Sequence, residues 1–136
     1  MDYMTRRPSA ATVDDRTMRL SSLIRATLED AKAIDICQLD LRGLTDITDY
    51  MVIASGTSHR HVHALSNHIC EATATIGIRP IGVEGSEENE WILIDFADVV
   101  VHLLMPNTRE FYSLEKLWDS NLEEYPSTEQ DTTVDS

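Results

Sequence analysis

The chain has 136 residues, 42% of them hydrophobic, and a formal net charge of -13 from 24 acids against 11 Lys and Arg. That length buries one core of ordinary size and would divide poorly into two. The charge argues against direct nucleic-acid binding, because the cations are dispersed and form no basic patch, and no apolar run nears the roughly twenty residues that span a bilayer.

Residues 1–14 are polar, include Pro8 and show no periodicity, so a disordered N-terminal tail is expected there. They have no hydrophobic segment of the kind a secretory leader carries. Cys37 and Cys70 fall in apolar stretches without C-x-x-C spacing, which suits reduced thiols and a cytoplasmic location. From Asp15 to about Ala33, Leu20, Leu23, Ile24, Leu28 and Ala31 recur every three or four residues and predict an amphipathic helix. Ile34 to Leu41 reads as a strand, Gly43 opens a polar connection, and Tyr50 to Ala54 is apolar enough for a strand covered on both faces.

The stretch Ala54 to His63 (ASGTSHRHVH) ends that strand in glycine and hydroxyls, then delivers three histidines. With a helix starting near Ser58, Val62, Leu65, Ile69, Thr73 and Ile76 share its core face. His59 and His63 flank that face on one side, and His61 and His68 on the other. Only His59 with His63 has a metal-capable spacing, and further ligands are lacking, so no metal is expected. Gly56 allows a sharp turn, and Thr57 or Ser58 can cap the helix; the pattern has neither the glycines and lysine of a phosphate loop nor a dinucleotide fingerprint.

Gly77 marks the stop of this helix, and Pro80 to Glu84 predicts a short strand. Trp91 to Phe96 and Val99 to Met105, separated by Ala97 and Asp98, predict an antiparallel hairpin. Pro106 ends the last strand. Asn107 with Glu110 has the spacing of a capping box for a final helix whose apolar side is Phe111, Leu114 and Trp118. From Asp119 the chain holds six acids and no Lys or Arg, so 119–136 is expected to be an acidic disordered tail. The order α-β-β-α-β-β-β-α over 15–118 calls for an α/β domain with a mixed sheet of about five strands packed with helices.

Catalytic chemistry finds little support. Nucleotidyl transfer needs paired carboxylates for magnesium soon after the glycine turn, and none is present; Asp95 and Asp98 straddle the hairpin turn, where acids commonly form the turn itself. No nucleophile elbow appears, and Cys37 within a strand reads as core. Glu84 to Asp98 is more unusual, with six acids, no base and Trp91. Period two puts Trp91, Leu93 and Asp95 on one face and Ile92, Ile94 and Phe96 on the other. If helices cover the Ile92 side, Trp91 and Leu93 form an apolar patch rimmed by Glu87, Glu88, Glu90 and Asp95, suited to a basic partner; if both faces are covered, Trp91 is core.

SGTS followed by R-H-V, then VEG, W-I-L-I-D-F-A-D-V-V-V-H and R-E-F-Y-x-L-E-K-L-W together resemble the ribosomal silencing factor (RsfS, Iojap) family, over about residues 20 to 118. The resemblance implies a nucleotidyltransferase-like fold with no transferase activity and no cofactor. It also implies binding to the large ribosomal subunit through large-subunit ribosomal protein fourteen, which blocks the small subunit and dampens translation when nutrients are scarce. Carried over by motif, W-x-x-x-D places Trp91 and Asp95 in the contact surface with Leu93 beside them, and D-V-V-V-H adds Asp98 and His102. Arg109 and Tyr112 match R-x-x-Y, in contact with the partner or tying the last helix to the sheet. Ala97 stands where many members carry glycine. The alternatives are an active nucleotidyltransferase-like enzyme, which would bind a nucleoside triphosphate with magnesium, and a homodimer formed through the Trp91 surface.

Overall fold

The computed structural model describes residues 15–85 and 90–112; the two expected tails lie outside them, as do Glu87, Glu88, Leu114 and Trp118. The elements follow the expected order: α1 (Asp15–Asp30), β1 (Ile34–Asp40), β2 (Tyr50–Ser55), α2 (His59–Ala74), β3 (Gly82–Gly85), β4 (Trp91–Asp95), β5 (Val99–Leu104) and α3 (Pro106–Tyr112). The five strands form one sheet in the order β1-β2-β5-β4-β3. β2 and β5 run parallel, and the other three pairings are antiparallel.

All six residues of β2 are buried, as its unbroken apolar run requires of a strand flanked on both sides and covered on both faces. Alternation sorts the rest. Val52, Ala54, Ile92, Ile94, Val101 and Leu103 join Leu20, Ile24 and Leu28 of α1 and Val62, Leu65 and Ile69 of α2 in the main core. Met51, Ile53 and Leu104 point the other way and gather a second cluster with Leu41, against which Leu39 and Trp91 pack partly buried.

Several boundaries depart from the sequence reading, each for a local reason. Helix α1 stops at Asp30 because Lys32 turns left-handed at φ 65°, letting Ala33 N–H reach Leu28 O at 2.9 Å and Lys32 N–H reach Glu29 O at 3.1 Å. A lysine there gives no warning of the stop. At the end of α2 the same pair of bonds runs from Ile78 N–H to Thr73 O and from Gly77 N–H to Ala74 O, with the expected glycine at φ 74°. β3 begins at Gly82 rather than Pro80, since Pro80 has no N–H to give and Ile81 N–H bonds Asp95 O ahead of the ladder.

The capping box is also corrected. Helix α3 starts at Pro106, whose fixed φ and missing N–H suit a first helical position, so Asn107 lies inside the first turn. Met105 O accepts the bond from Arg109 N–H at 2.9 Å.

At the β4–β5 turn Phe96 N–H bonds Val99 O at 2.9 Å, and Asp98 N–H bonds Phe96 O at 3.0 Å across Ala97, which sits at φ 75°. A three-residue turn with a positive central φ is strained for any residue bearing a Cβ. Ala97→Gly is therefore expected to stabilise the domain by about 0.5–1 kcal/mol, the strain relieved less the added freedom of the unfolded chain. A thermal melt should show a midpoint higher by a few degrees; an unchanged or lower midpoint would show that the turn carries no strain.

Candidate functional site

The sheet face opposite α1 and α2 is built in lateral rows set by the register. Ser55, Leu104 and Trp91 form one row; Cys37, Ile53, His102, Leu93 and Glu84 form the next; Leu39, Met51, Val100, Asp95 and Gly82 form the third. Helix α3 is tied to the first row by Arg109, a buried residue with 9% exposure, whose Nη1 donates to Ser55 Oγ at 3.1 Å and to Ile34 O at 3.5 Å. Toward the edge the cover thins. Trp91 and Leu93 are half-buried, while Ile92 and Ile94, which alternate with them, are packed under the helices.

Trp91 sits diagonally across the β4–β5 ladder from His102. Its indole Nε1–H donates to His102 Nδ1 at 2.9 Å, and the ring centroids are 5.8 Å apart with the planes tilted by 55°. An indole N–H can only donate, so Nδ1 must accept and the neutral ring carries its proton on Nε2. His102 itself is 7% exposed. Trp91 and Leu93, with Glu84 and Gly85 of the edge strand, line a shallow depression of about 390 Å³. Glu84 and Glu90 are exposed beside it, giving an apolar floor with an acidic margin.

Of the seven residues singled out from sequence, the structure brings Trp91, Leu93 and His102 together. Asp95 shares their face two residues further along β4, where its Oδ1 accepts from Ala97 N–H at 2.8 Å and shapes the turn. Asp98 lies at the hairpin tip, beyond the other end of the strand: its Oδ2 accepts from Thr17 Oγ1 at 3.1 Å, Arg16 approaches at 3.6 Å, and its carbonyl receives both Asp49 N–H and Tyr50 N–H. It joins α1 and β2 to the hairpin, at the far end of β4 from Trp91. Arg109 ties α3 to the sheet. Tyr112 ends α3, and its side chain lies outside the described residues.

The histidine-rich turn resolves as a helix start. Ser58 Oγ accepts from His61 N–H at 3.0 Å, as capping requires. Gly56 lies against the helix, where an added Cβ would meet Val62 N and Cγ2 at 2.9 Å. His61, read from sequence as a boundary imidazole, is a structural link: Thr57 N–H donates to its Nδ1 at 2.9 Å, leaving Nε2–H to donate to Ala31 O at 2.8 Å, just past α1. Only the four-residue step from Thr57 to His61 hints at this in the sequence. Among the described residues no group of three or more His, Cys, Asp or Glu could hold a metal ion, and no helix is long and apolar enough to cross a membrane.

Comparison with known proteins agrees with this architecture. The family model described as "Ribosomal silencing factor during starvation" matches residues 14–136, a span that includes the acidic segment after Trp118. A ribosomal silencing factor of Chromobacterium violaceum is 41% identical over 99 residues, covering 73% of this chain and 81% of that one. The mouse protein named for mitochondrial assembly of the ribosomal large subunit is 37% identical over 99 residues, covering 71% of this chain and 43% of its own length. A crystal structure of a Chromobacterium violaceum protein superposes with a TM-score of 0.74 at 39% identity, covering 82% of this chain and 90% of the other.

Burial pushes the His102 imidazole down to about 4 from its usual 6.5. The unfolded chain takes up a proton near 6.5 and the folded chain only near 4, so between those values the unfolded state binds more protons and stability falls as pH drops. A shift of this size corresponds to up to about 3 kcal/mol. Denaturant melts between pH 7 and 4 should show that loss in the wild type and a shallower one in His102→Leu; parallel curves would mean that His102 is not the group responsible.

Proposed function

The chain belongs to the family of ribosomal silencing factors, and from that premise we propose that it docks on the large ribosomal subunit through large-subunit ribosomal protein fourteen and sterically keeps the small subunit away. Members of the family are named for a regulatory act on ribosomes and not for catalysis. The words "during starvation" in the family description support placing the repression of translation under nutrient limitation, and the spacing of the two cysteines suits the cytoplasm as its compartment. The name of the mouse relative supports the choice of the large subunit.

One observation carries the placement of the contact: a half-buried tryptophan on the sheet face away from α1 and α2, beside a depression with acidic residues at its margin. Indole rings in such settings are frequent centres of binding energy, since they bury much area at little cost in lost freedom. The net charge of -13 steers the chain toward a basic ribosomal protein and speeds encounter, whereas desolvation of Trp91 and Leu93 slows departure. No bond is made or broken. Occupying a surface that the other subunit needs is sufficient.

Asp95 belongs to this surface as part of its acidic margin. Asp98 and Arg109 contribute by holding the hairpin and α3 in place, for which they have the bonds, and Tyr112 belongs to the surface by its place in the same R-x-x-Y motif as Arg109. The same surface is able to pair with a second copy of the chain, and such a dimer would have to open before ribosome binding.

Trp91→Glu is expected to leave the domain folded and to weaken co-sedimentation with purified large subunits by about thirtyfold or more, the loss typical of a hot-spot residue. The same variant should no longer stop large and small subunits from joining in a sucrose gradient. Wild-type behaviour in both assays would remove Trp91 from the contact. Light scattering on the two forms reports whether the surface also pairs with itself.

A further inference from the structure

We infer that His102 is a positioning residue for the ribosomal contact, acting through Trp91: its buried ring fixes the indole on the sheet so that the partner meets a side chain already set in its binding orientation. This rests on the reading of Trp91 as the contact. His102 is 7% exposed and anchored in β5 between Leu93 and Ile53, so it has little surface of its own to offer a partner. What it does offer is Nδ1, which accepts the indole N–H at 2.9 Å from a ring held on the rigid central strand.

A half-buried tryptophan at the start of a strand would otherwise sample several side-chain orientations, and each would have to be frozen out on binding. The bond to Nδ1 selects one of them in the free protein. It also satisfies the indole N–H within the chain, leaving the ring to meet the partner through its apolar surface without stranding a buried donor. The histidine must be neutral to do this, because a protonated Nδ1 cannot accept.

The test uses the full chain with Trp118→Phe, which leaves Trp91 as the one indole of the two in the sequence. Two readouts are followed: the indole N–H resonance and co-sedimentation with purified large ribosomal subunits. His102→Leu should move the resonance toward that of a free indole and reduce affinity roughly three- to tenfold, the factor that ordering one side chain at an interface commonly represents. His102→Asn keeps an acceptor oxygen close to the place of Nδ1 and should recover most of both. Wild-type affinity in His102→Leu, where Trp91→Glu has lost binding, would overturn the positioning role alone. Equal losses in the Leu and Asn variants with an unmoved resonance would overturn it too, as a merely structural effect. Wild-type affinity in Trp91→Glu would sink the contact itself and this inference with it. If His102→Leu does not fold, the wild-type chain decides: an indole proton that exchanges with solvent as freely as in a peptide overturns the proposal.

Discussion

The parallel pairing of β2 with β5 is the constraint on which the rest of the molecule depends. Tyr50 to Ser55 lies in step with Val99 to Leu104, and both strands are hydrogen-bonded on both edges. Strands so placed must be apolar on both faces, and both are nearly so. Two clusters follow from that. One is covered by α1 and α2; the other is smaller, lies beside the buried guanidinium of Arg109 from α3, and thins toward Trp91.

The half-buried position of Trp91 and Leu93 is a product of this uneven cover. A sheet covered fully on both faces would have absorbed Trp91 into a core, and a sheet with one polar face would have had no reason to carry it. Here β4 lies between the central strand and the short edge strand β3, so Trp91 and Leu93 reach the second face where packing is incomplete. The imidazole beneath gives that margin a fixed geometry, and it pays in acid sensitivity for being buried.

Much of this was legible in the sequence. Period two in WILIDF separates Ile92 and Ile94 from Trp91 and Leu93, and the continuous run YMVIA announces an interior strand. Element order followed from turn residues whose chemistry is local. The misses have a common physical character, since each depended on a partner far along the chain or on an unusual residue in a strained role. Lys32 ends α1 in a conformation that glycine would have advertised. His61 finds Ala31 thirty positions back, and Asp98 finds Thr17 across the fold, so neither pairing leaves a spacing to read. A motif such as D-V-V-V-H groups Asp98 with His102 along the chain, whereas the length of β4 sets Asp98 and Trp91 at opposite ends of one strand.

The register of β2 against β5 also dictates when the domain can exist at all. Parallel neighbours cannot be joined by a tight turn, and here the connection includes α2, β3 and β4. Until Leu104 has been synthesised, an emerging chain carries the greasy run from Tyr50 to Ser55 with one edge unpaired and one face bare. Such non-local closure is slow relative to helix formation, and the interval before it is when aggregation competes. A protein that acts on ribosomes thus passes its most vulnerable moment while still attached to one.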